Sequence, residues 1–450
     1  QDIIQKVNPG DVYLVFPAGY IRNPASVFGH TFLLVESKNQ TRLVANSINY
    51  GAVTSLSTGM LYAVLGLFGG FRGYYGFVPY YEKIKQYSDM DMRDMWEYHL
   101  TFTDEEKDRM LRHVFDLSGI YSQYFFISEN CSYNLLFLIE AACPDAKVTD
   151  MIYGIVEPIE TIKLIKELGM TDTAEFRPSL YTQIENQKKK LTKEQYTYVK
   201  AVCYGKKSVA DFPFTDVSPE TQILIWNLAA DYLNSLLRTR KISSDEYRPR
   251  YVAVLSARRK LGKAAIPATD AIPPVPDKAH GSKKFATIAG HDINGLYAGY
   301  NFRVTAHEQL ENPAGYSDNS QLAFGVLDAR VNVPDGSFYL KKAIIADVIS
   351  LPSADSYFYN KAFQFTAGLD SNPNKEQEED LAFRLKILDG ASVKPAPWIQ
   401  LYLMIGGDSY FSSIYNYNTD LLLGGECGLI TTAGQWKNKI EEKVKFKIGV

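Results

Sequence analysis

The sequence predicts an α+β protein, and three observations carry this prediction. Strand and helix patterns alternate over residues 1–180, residues 181–262 are helical and strongly charged, and residues 281–450 alternate apolar and polar side chains as antiparallel strands do. Residues 263–280 are rich in Pro and Ala, which is typical of an extended linker. Because 450 residues exceed one ordinary hydrophobic core, we predict separate domains with these boundaries.

Local patterns place the elements of the first domain. The segments VNPGDVYLVFP, FGHTFLLVES and TRLVANSINYGA predict strands. Thr103 and Glu106 have the spacing of a capping box, which predicts a helix over residues 104–117. Asn130 is a good helix cap and precedes an apolar run, which predicts a second helix over residues 131–142.

A glycine-rich apolar segment, GMLYAVLGLFGGFRGYYGF, covers residues 59–77. Its uncharged part, residues 59–71, is shorter than the roughly 20 residues that span a bilayer. Its glycines disfavour a stable helix. We therefore predict a buried, glycine-kinked hairpin, and the alternative is an apolar loop that lines a channel or enters a membrane surface.

The C-terminal region is predicted to be an antiparallel β domain. The segments LAFRLKIL, PWIQLYLMIGG and KVKFKIGV alternate apolar and polar side chains, and about eight such strands fit the sequence. These strands predict a sandwich, or a barrel whose apolar face points inward or toward lipid. Alternation alone does not show which face of the sheet contacts water.

Composition excludes several classes of protein. A formal net charge of -3 gives no basic signature, so we expect no nucleic-acid partner. The four cysteines, Cys131, Cys143, Cys203 and Cys427, lack zinc-ligand spacing and do not suggest a dense disulfide framework. The chain opens at Gln1, as expected for a chain that is processed on export. Its aromatic content is high, with 31 Tyr and 24 Phe, and such a content is common in envelope proteins.

Cys131 occupies a position that suits a nucleophile. The first turn of a helix favours a thiolate, because unpaired backbone N–H groups and the helix dipole stabilise negative charge there. A cysteine nucleophile also needs a base. His30 follows a glycine at the start of an apolar strand, whereas His99 and His113 have contexts typical of structural histidines, and three further histidines lie beyond residue 279. His30 is therefore the favoured base.

An ordered series of segments resembles a known family. SVFGHTFLLV, SINYGA, GLFGGFRGYYGFVPYYEKIKQY, RDMWEYHL and ENCSYNLLFLIEAA are similar to the periplasmic domain of the bacterial lipoprotein N-acyltransferase B family, from about residue 10 to 180. The family lies in the circularly permuted branch of the NlpC-type, papain-like superfamily. The resemblance implies a permuted papain-like domain over residues 1–180. The C-terminal region resembles relatives that carry a barrel-like domain.

The resemblance implies roles for particular residues. Cys131 is the expected nucleophile and His30 the general base. The third member is expected among Asn46, Ser47 and Asn49, of which we favour Asn49, in the family-like Asn-Tyr pair.

The oxyanion hole is expected to combine the Cys131 backbone N–H with a side-chain donor, Asn130 or Tyr124. Ser26, Arg72 and Tyr80 lie in matched segments as well. For these three we predict structural roles.

The implied function is a cell-envelope thiol acyltransferase or lipid-ester hydrolase. The expected acyl donor is a phospholipid, and the acceptor is a lipoprotein amino terminus or another amine or alcohol. No metal or organic cofactor is required. We expect a location in the periplasm or outer membrane of a Gram-negative bacterium, at a membrane surface and within reach of an envelope protein complex.

Two alternatives remain open at this stage. A papain-like peptidase or amidase acting on peptidoglycan peptides predicts a polar cleft beside Cys131. A non-catalytic module of an outer-membrane assembly predicts a cysteine buried away from any histidine.

Overall fold

The computed structural model describes most of the chain, namely residues 7–18, 29–56, 60–152, 154–262, 272–292, 295–355, 357–358, 360–371, 381–413, 419–433 and 436–447. Ser26, residues 263–271 of the predicted linker and the last three residues of the final predicted strand lie outside the described residues.

The N-terminal region is built on a seven-stranded antiparallel sheet with the order β6-β4-β3-β2-β1-β5-β7. The central position of β1 and β2 follows from their nearly unbroken apolar sequences, because such strands are buried on both faces. The strands are β1 Pro9–Pro17, β2 Phe32–Ser37, β3 Asn46–Val53, β4 Phe71–Pro79, β5 Met95–Leu100, β6 Tyr121–Tyr124 and β7 Thr171–Arg177.

Helices cover this sheet and close its core. They are α1 Met60–Leu67, α2 Tyr80–Ile84, α3 Asp104–Asp116, α4 Cys131–Ala142 and α5 Pro158–Glu167. Apolar side chains of α3, α4 and α5 share one buried cluster with the sheet. The helices predicted at residues 104–117 and 131–142 are confirmed, since α3 begins at the predicted capping box and α4 has the predicted bounds.

The glycine-rich segment corrects a prediction. It forms helix α1 followed by strand β4, not a glycine-kinked hairpin. Gly66 is required inside α1 because a Cβ there would lie 2.2 Å from Cε2 of Phe126. Close packing against Phe126 therefore outweighs the low helix propensity of glycine.

Residues 180–260 form the predicted helical region. Its helices are α6 Leu180–Lys189, α7 Lys193–Cys203, α8 Pro219–Arg238 and α9 Ser244–Lys260. They enclose a separate buried cluster that includes Trp226 and Tyr232. Tyr357, from the C-terminal region, packs into this cluster with its ring centroid 4.2 Å from that of Tyr232.

The C-terminal region forms one ten-stranded antiparallel sheet, where about eight strands had been predicted. The pairing order is β17-β16-β14-β13-β12-β11-β10-β9-β8, and β15 pairs with β14. The strands are β8 Lys284–Asp292, β9 Gly295–His307, β10 Gln321–Asn332, β11 Phe338–Ser350, β12 Ala362–Ser371, β13 Leu381–Ala396, β14 Ile399–Phe411, β15 Thr419–Asp420, β16 Leu422–Ala433 and β17 Trp436–Lys447.

This topology corrects the expected sandwich or barrel. The strands belong to a single sheet, so they do not form a sandwich of two sheets. Within the described strands β8 and β17 are not paired with each other, so the sheet is not closed into a barrel. Alternation of apolar and polar residues specifies the faces of a strand, whereas closure depends on the tilt and stagger of the whole sheet.

Candidate active site

His30 lies at the start of β2 and is held by a side chain of the neighbouring strand. Gly29, just before it, has φ +96°, and a Cβ there would lie 2.7 Å from the ring of Phe16. Only glycine is tolerated at that turn. His30 Nε2 donates to Oδ1 of Asn49 on β3, at 2.7 Å. This hydrogen bond leaves the other ring nitrogen, Nδ1, available to Cys131.

Cys131 is the first residue of α4, and two contacts fix it there. Asn130 caps the helix, since its Oδ1 accepts from the N–H groups of Ser132 (3.0 Å) and Tyr133 (3.3 Å). The hydroxyl groups of Thr31 and Ser132 lie 2.7 Å apart and join the start of the helix to the start of β2. The helix N-terminus therefore sits against the residue that follows His30.

Electrostatics at this position favour a thiolate. Cys131 is buried, which alone would raise the pKa of its thiol, but the nearby His30 outweighs that effect through its charge and a hydrogen bond. A backbone hydrogen bond from Thr31 and the Ser132 hydroxyl act in the same direction. The pKa of the Cys131 thiol falls to about 6. A low-pKa cysteine beside a histidine is an arrangement suited to nucleophilic catalysis.

Tyr124 and Asn130 differ in their availability as oxyanion donors. Tyr124 Oη accepts from the Cys131 backbone N–H at 3.3 Å, and burial raises the pKa of Tyr124, which keeps its hydroxyl proton in place. The amide of Asn130 donates to the carbonyl oxygens of Val156 (2.6 Å) and Phe126 (3.3 Å). Asn130 thus acts as a helix cap, and Tyr124 is the better-placed donor.

Two residues beside His30 were missed from the sequence. The ring of Tyr87 lies 5.5 Å from that of His30, and Lys83 Nζ lies 5.5 Å from the Tyr87 centroid. Lys83 is buried, and this burial lowers its pKa to about 8, although the charge of Cys131 acts in the opposite direction. Both belong to the segment VPYYEKIKQY, whose match to the family was the only available signal.

An apolar surface adjoins the site. Tyr124 packs 6.1 Å from Phe126, which in turn contacts the ring of Tyr62 on α1 at 5.1 Å. The outer side of α1 exposes Leu61 and Val64. Apolar side chains therefore run from Tyr124 to an exposed helix face.

The remaining predicted residues have structural surroundings. Tyr80 is buried and donates to Glu97, and Arg72 lies 4.6 Å from the centroid of Tyr121. His99 contacts a surface carboxylate, Asp172, at 2.8 Å. Asn46 lies at the start of β3, and Ser47 donates to the Val78 carbonyl. Of the three candidates for the third member, Asn49 is the one that contacts His30.

One cluster among the described residues has metal-ligand chemistry. His280, His307 and Glu311 bring their ligand atoms within 4.8 Å of one another. Arg303, fully buried, donates to Glu311 at 2.7 Å, so a cation would compete with a fixed guanidinium. The cluster joins the end of the linker to β9 and is far in sequence from Cys131.

Comparison with known proteins adds a family for the first region. Residues 1–167 match a family model described as the Lnb N-terminal periplasmic domain. Residues 174–269 and 273–449 match two domains of unknown function, DUF7842 and DUF7840. No curated protein and no solved structure matches the chain.

The match supports an Lnb-type periplasmic domain at the N-terminus, which implies export to the periplasm and a role in the cell envelope. Among the described residues, no helix combines the length and hydropathy needed to cross a membrane.

Proposed function

We propose that residues 1–180 form a permuted papain-like, cysteine-dependent acyltransferase or lipid-ester hydrolase of the cell envelope. The supporting observation is the set of Cys131, His30 and Asn49: a buried thiol of lowered pKa, a histidine beside it and an amide that orients the histidine. Nucleophile, base and orienting group are the three parts that thiol catalysis needs.

The reaction begins with attack of the Cys131 thiolate on the carbonyl carbon of a phospholipid ester. A carbon–sulfur bond forms, and the negative charge on the carbonyl oxygen is stabilised by the Tyr124 hydroxyl and by the Cys131 N–H, which exchanges its contact with Tyr124 Oη for the substrate oxygen. The ester carbon–oxygen bond then breaks, and His30 gives the leaving alkoxide its proton. An amine or alcohol acceptor, or water, then attacks the thioester carbonyl and loses its proton to the neutral His30. The carbon–sulfur bond breaks, which releases the acylated acceptor and regenerates the Cys131 thiolate beside protonated His30.

The apolar surface of α1 favours a lipid substrate over a peptide. Leu61, Val64 and Phe68 are exposed beside the aromatic residues that lead to Tyr124. Contact of a fatty chain with such a surface is worth up to about 0.8 kcal/mol for each buried CH₂ group. The lipoprotein amino terminus is the proposed acceptor, at the membrane surface. The proximity of His30 disfavours the non-catalytic alternative, which predicts a cysteine away from any histidine.

The test is mass-spectrometric detection of an acyl adduct after incubation of the full chain with phospholipid vesicles. We expect a thioester on Cys131, its absence in Cys131→Ala, and its retention in the matched control Cys143→Ala. Burial and Glu106 raise the pKa of Cys143 to about 12, so that residue is a poor nucleophile at neutral pH. An adduct on Cys143 alone, or turnover by Cys131→Ala, contradicts the proposal. Cleavage of peptidoglycan peptides without lipid acylation would favour the amidase alternative.

A further inference from the structure

The C-terminal sheet exposes large apolar side chains on one face and buries many polar and charged side chains on the other. In β14 the apolar residues Leu401, Leu403 and Ile405 are exposed, whereas the polar residues Gln400 and Asp408 are buried on the opposite face together with Tyr402 and Met404. In β9, Tyr300 and Phe302 are exposed and Arg303 is fully buried. Antiparallel sheets of water-soluble proteins place apolar side chains in the core and polar ones in water.

The buried face is charged and internally balanced. Lys386 on β13 and Glu426 on β16 form a buried ion pair. On the same face Arg384 donates to Asp408 at 2.8 Å and to Asp370 at 2.7 Å. Buried charges persist in proteins when they are paired in this way. The buried face therefore combines paired charges with apolar clusters, one of which includes Leu388, Tyr402, Met404 and Ile430.

The exposed face carries large apolar residues from one end of the strand order to the other. Examples from six different strands are Phe285, Leu327, Leu369, Leu403, Leu423 and Ile440. Asp389 on β13 is a charged exception on this face. An apolar surface that extends over so many strands exceeds the few hundred Å² that monomeric soluble proteins expose.

The sheet is also long and curled. Its nine main strands have 9 to 16 residues. A strand needs about 9 to 11 residues to cross the hydrocarbon of a bilayer. Lys437 on β17 lies 3.6 Å from Asp318, between β9 and β10, although these strands are near opposite ends of the pairing order. The charged face thus lies inside the curve and the apolar face outside it.

We propose that the outer face of the C-terminal sheet is embedded in the hydrocarbon of a phospholipid bilayer. A second protein would cover one side of a curved sheet, whereas lipid contacts apolar side chains all around it. Since hydrocarbon does not tolerate open strand edges, β8 and β17 must have their edge groups satisfied there, and the curl brings the two ends of the sheet toward each other.

The N-terminal domain sits at one end of these strands. Leu322, near the start of β10, pairs with Val348, near the end of β11, and both pack into the core of the N-terminal domain. Embedding the sheet would therefore hold that domain at the bilayer surface. The inference does not depend on the proposed chemistry of Cys131.

The experiment reconstitutes the full chain from detergent into vesicles of phosphatidylethanolamine and phosphatidylglycerol. The vesicles are washed at high salt and alkaline pH and then floated on a density gradient. We expect the protein to float with the lipid. We expect the variant that combines Ile387→Arg, Leu403→Arg and Ile405→Arg to be recovered with lipid at least about thirtyfold less, the factor that corresponds to about 2 kcal/mol.

A matched control separates this effect from added charge. Val252 on α9 is 62% exposed, close to the 60% of Leu403, so Val252→Arg adds a cation at an equally exposed apolar position outside the sheet. It should float like the unmodified chain. The alkylation rate of Cys131 should be the same in every variant, which shows that the N-terminal domain is folded and keeps a failure here distinct from a failure of the proposed function.

Two results would overturn the inference. One is a chain that stays in the aqueous phase after detergent removal, as a monomer or as a discrete dimer that covers the apolar face with a second copy. The other is unchanged flotation of the triple arginine variant.

Discussion

The C-terminal sheet and the surroundings of Cys131 differ in how their buried charged groups are paired. In the C-terminal sheet each buried cation faces a carboxylate, as Lys386 faces Glu426 and Arg384 faces Asp408. Around Cys131 the pairing is weaker: Lys83 donates to the neutral Gln86, and the charges that act on it are those of Cys131 and Glu82. The pKa values of Lys83 and Cys131 are both shifted.

The difference separates charges that hold a structure together from charges that do chemistry. A paired charge compensates its own desolvation. An unbalanced titratable group is maintained at a cost in stability, which is typical of functional sites. Substitution of a paired charge is therefore expected to destabilise the fold, whereas substitution of an unbalanced group is expected to change the chemistry of Cys131.

The largest effect is expected in the balanced region. Lys386→Met removes one half of the buried ion pair with Glu426, which should lower the free energy of unfolding by about 3–5 kcal/mol. The double variant Lys386→Met with Glu426→Met removes both charges and should recover most of that loss. Urea denaturation of the full chain in detergent measures both. Additive losses in the double variant would show that the pair is not coupled.

The next effect concerns the base in the unbalanced region. Without the imidazole, burial of Cys131 raises the pKa of its thiol above the ordinary value, so His30→Ala should slow iodoacetamide labelling of Cys131 at pH 7 by about a hundredfold. His99→Ala is the matched control, because His99 lies in the same sheet and contacts the surface carboxylates Asp11 and Asp172 and the ring of Tyr13. Equal labelling of the two variants would remove His30 from the site.

A smaller, graded effect is the pH dependence of that labelling. The pKa of Cys131 is lowered to about 6, so its thiolate is present above pH 6 and is lost below it, with a rate that falls about tenfold per pH unit. The pKa of Cys143 is raised to about 12, so labelling of Cys143 should instead keep rising through pH 9. Peptide-resolved mass spectrometry reads both residues in one sample. Labelling rates of Cys131 and Cys143 that depend on pH in the same way would contradict the difference between their pKa values.

Local signals predicted the parts of the fold that local physics determines. The capping box of α3, the Asn130 cap of α4 and the apolar residues that follow predicted these two helices, because a cap satisfies backbone groups within its own turn. Helix α1 was missed because its glycines are compatible with a helix only through packing against Phe126, a contact distant in sequence. The sequence also did not predict which face of the C-terminal strands is buried, because alternation is the same whichever face is buried.

The candidate site also contains residues that the sequence predicts and residues that it does not. His30, Asn49 and Cys131 lie in segments that match a known family, and the fold brings His30 and Asn49 into contact. Lys83 and Tyr87 could not be predicted, because a lysine in the charged-looking segment EKIKQY is usually solvated. Only the placement of α2 against β2 reveals that Lys83 is buried.

The smallest predicted effect concerns Lys83, the buried lysine in the region around Cys131. The pKa of Lys83 is about 8 in the folded chain, below its ordinary value near 10.4, so the folded state binds the proton less tightly than the unfolded state does. Below pH 8 this burial costs stability, and the cost disappears as the pH rises toward 10. Lys83→Met should therefore leave the unfolding free energy at pH 7 unchanged or raise it by about 1 kcal/mol.

The opposite result is expected wherever a buried lysine is paired. Lys107 on α3 is equally buried and contacts Asp104 at 3.4 Å, so Lys107→Met should not stabilise the chain. Thermal unfolding at pH 7 and pH 9 compares the two variants. If Lys83→Met destabilises the N-terminal domain as Lys386→Met destabilises the sheet, Lys83 is a structural cation. If it stabilises the domain and slows acyl transfer, the charge near Cys131 is kept for the reaction at the expense of stability.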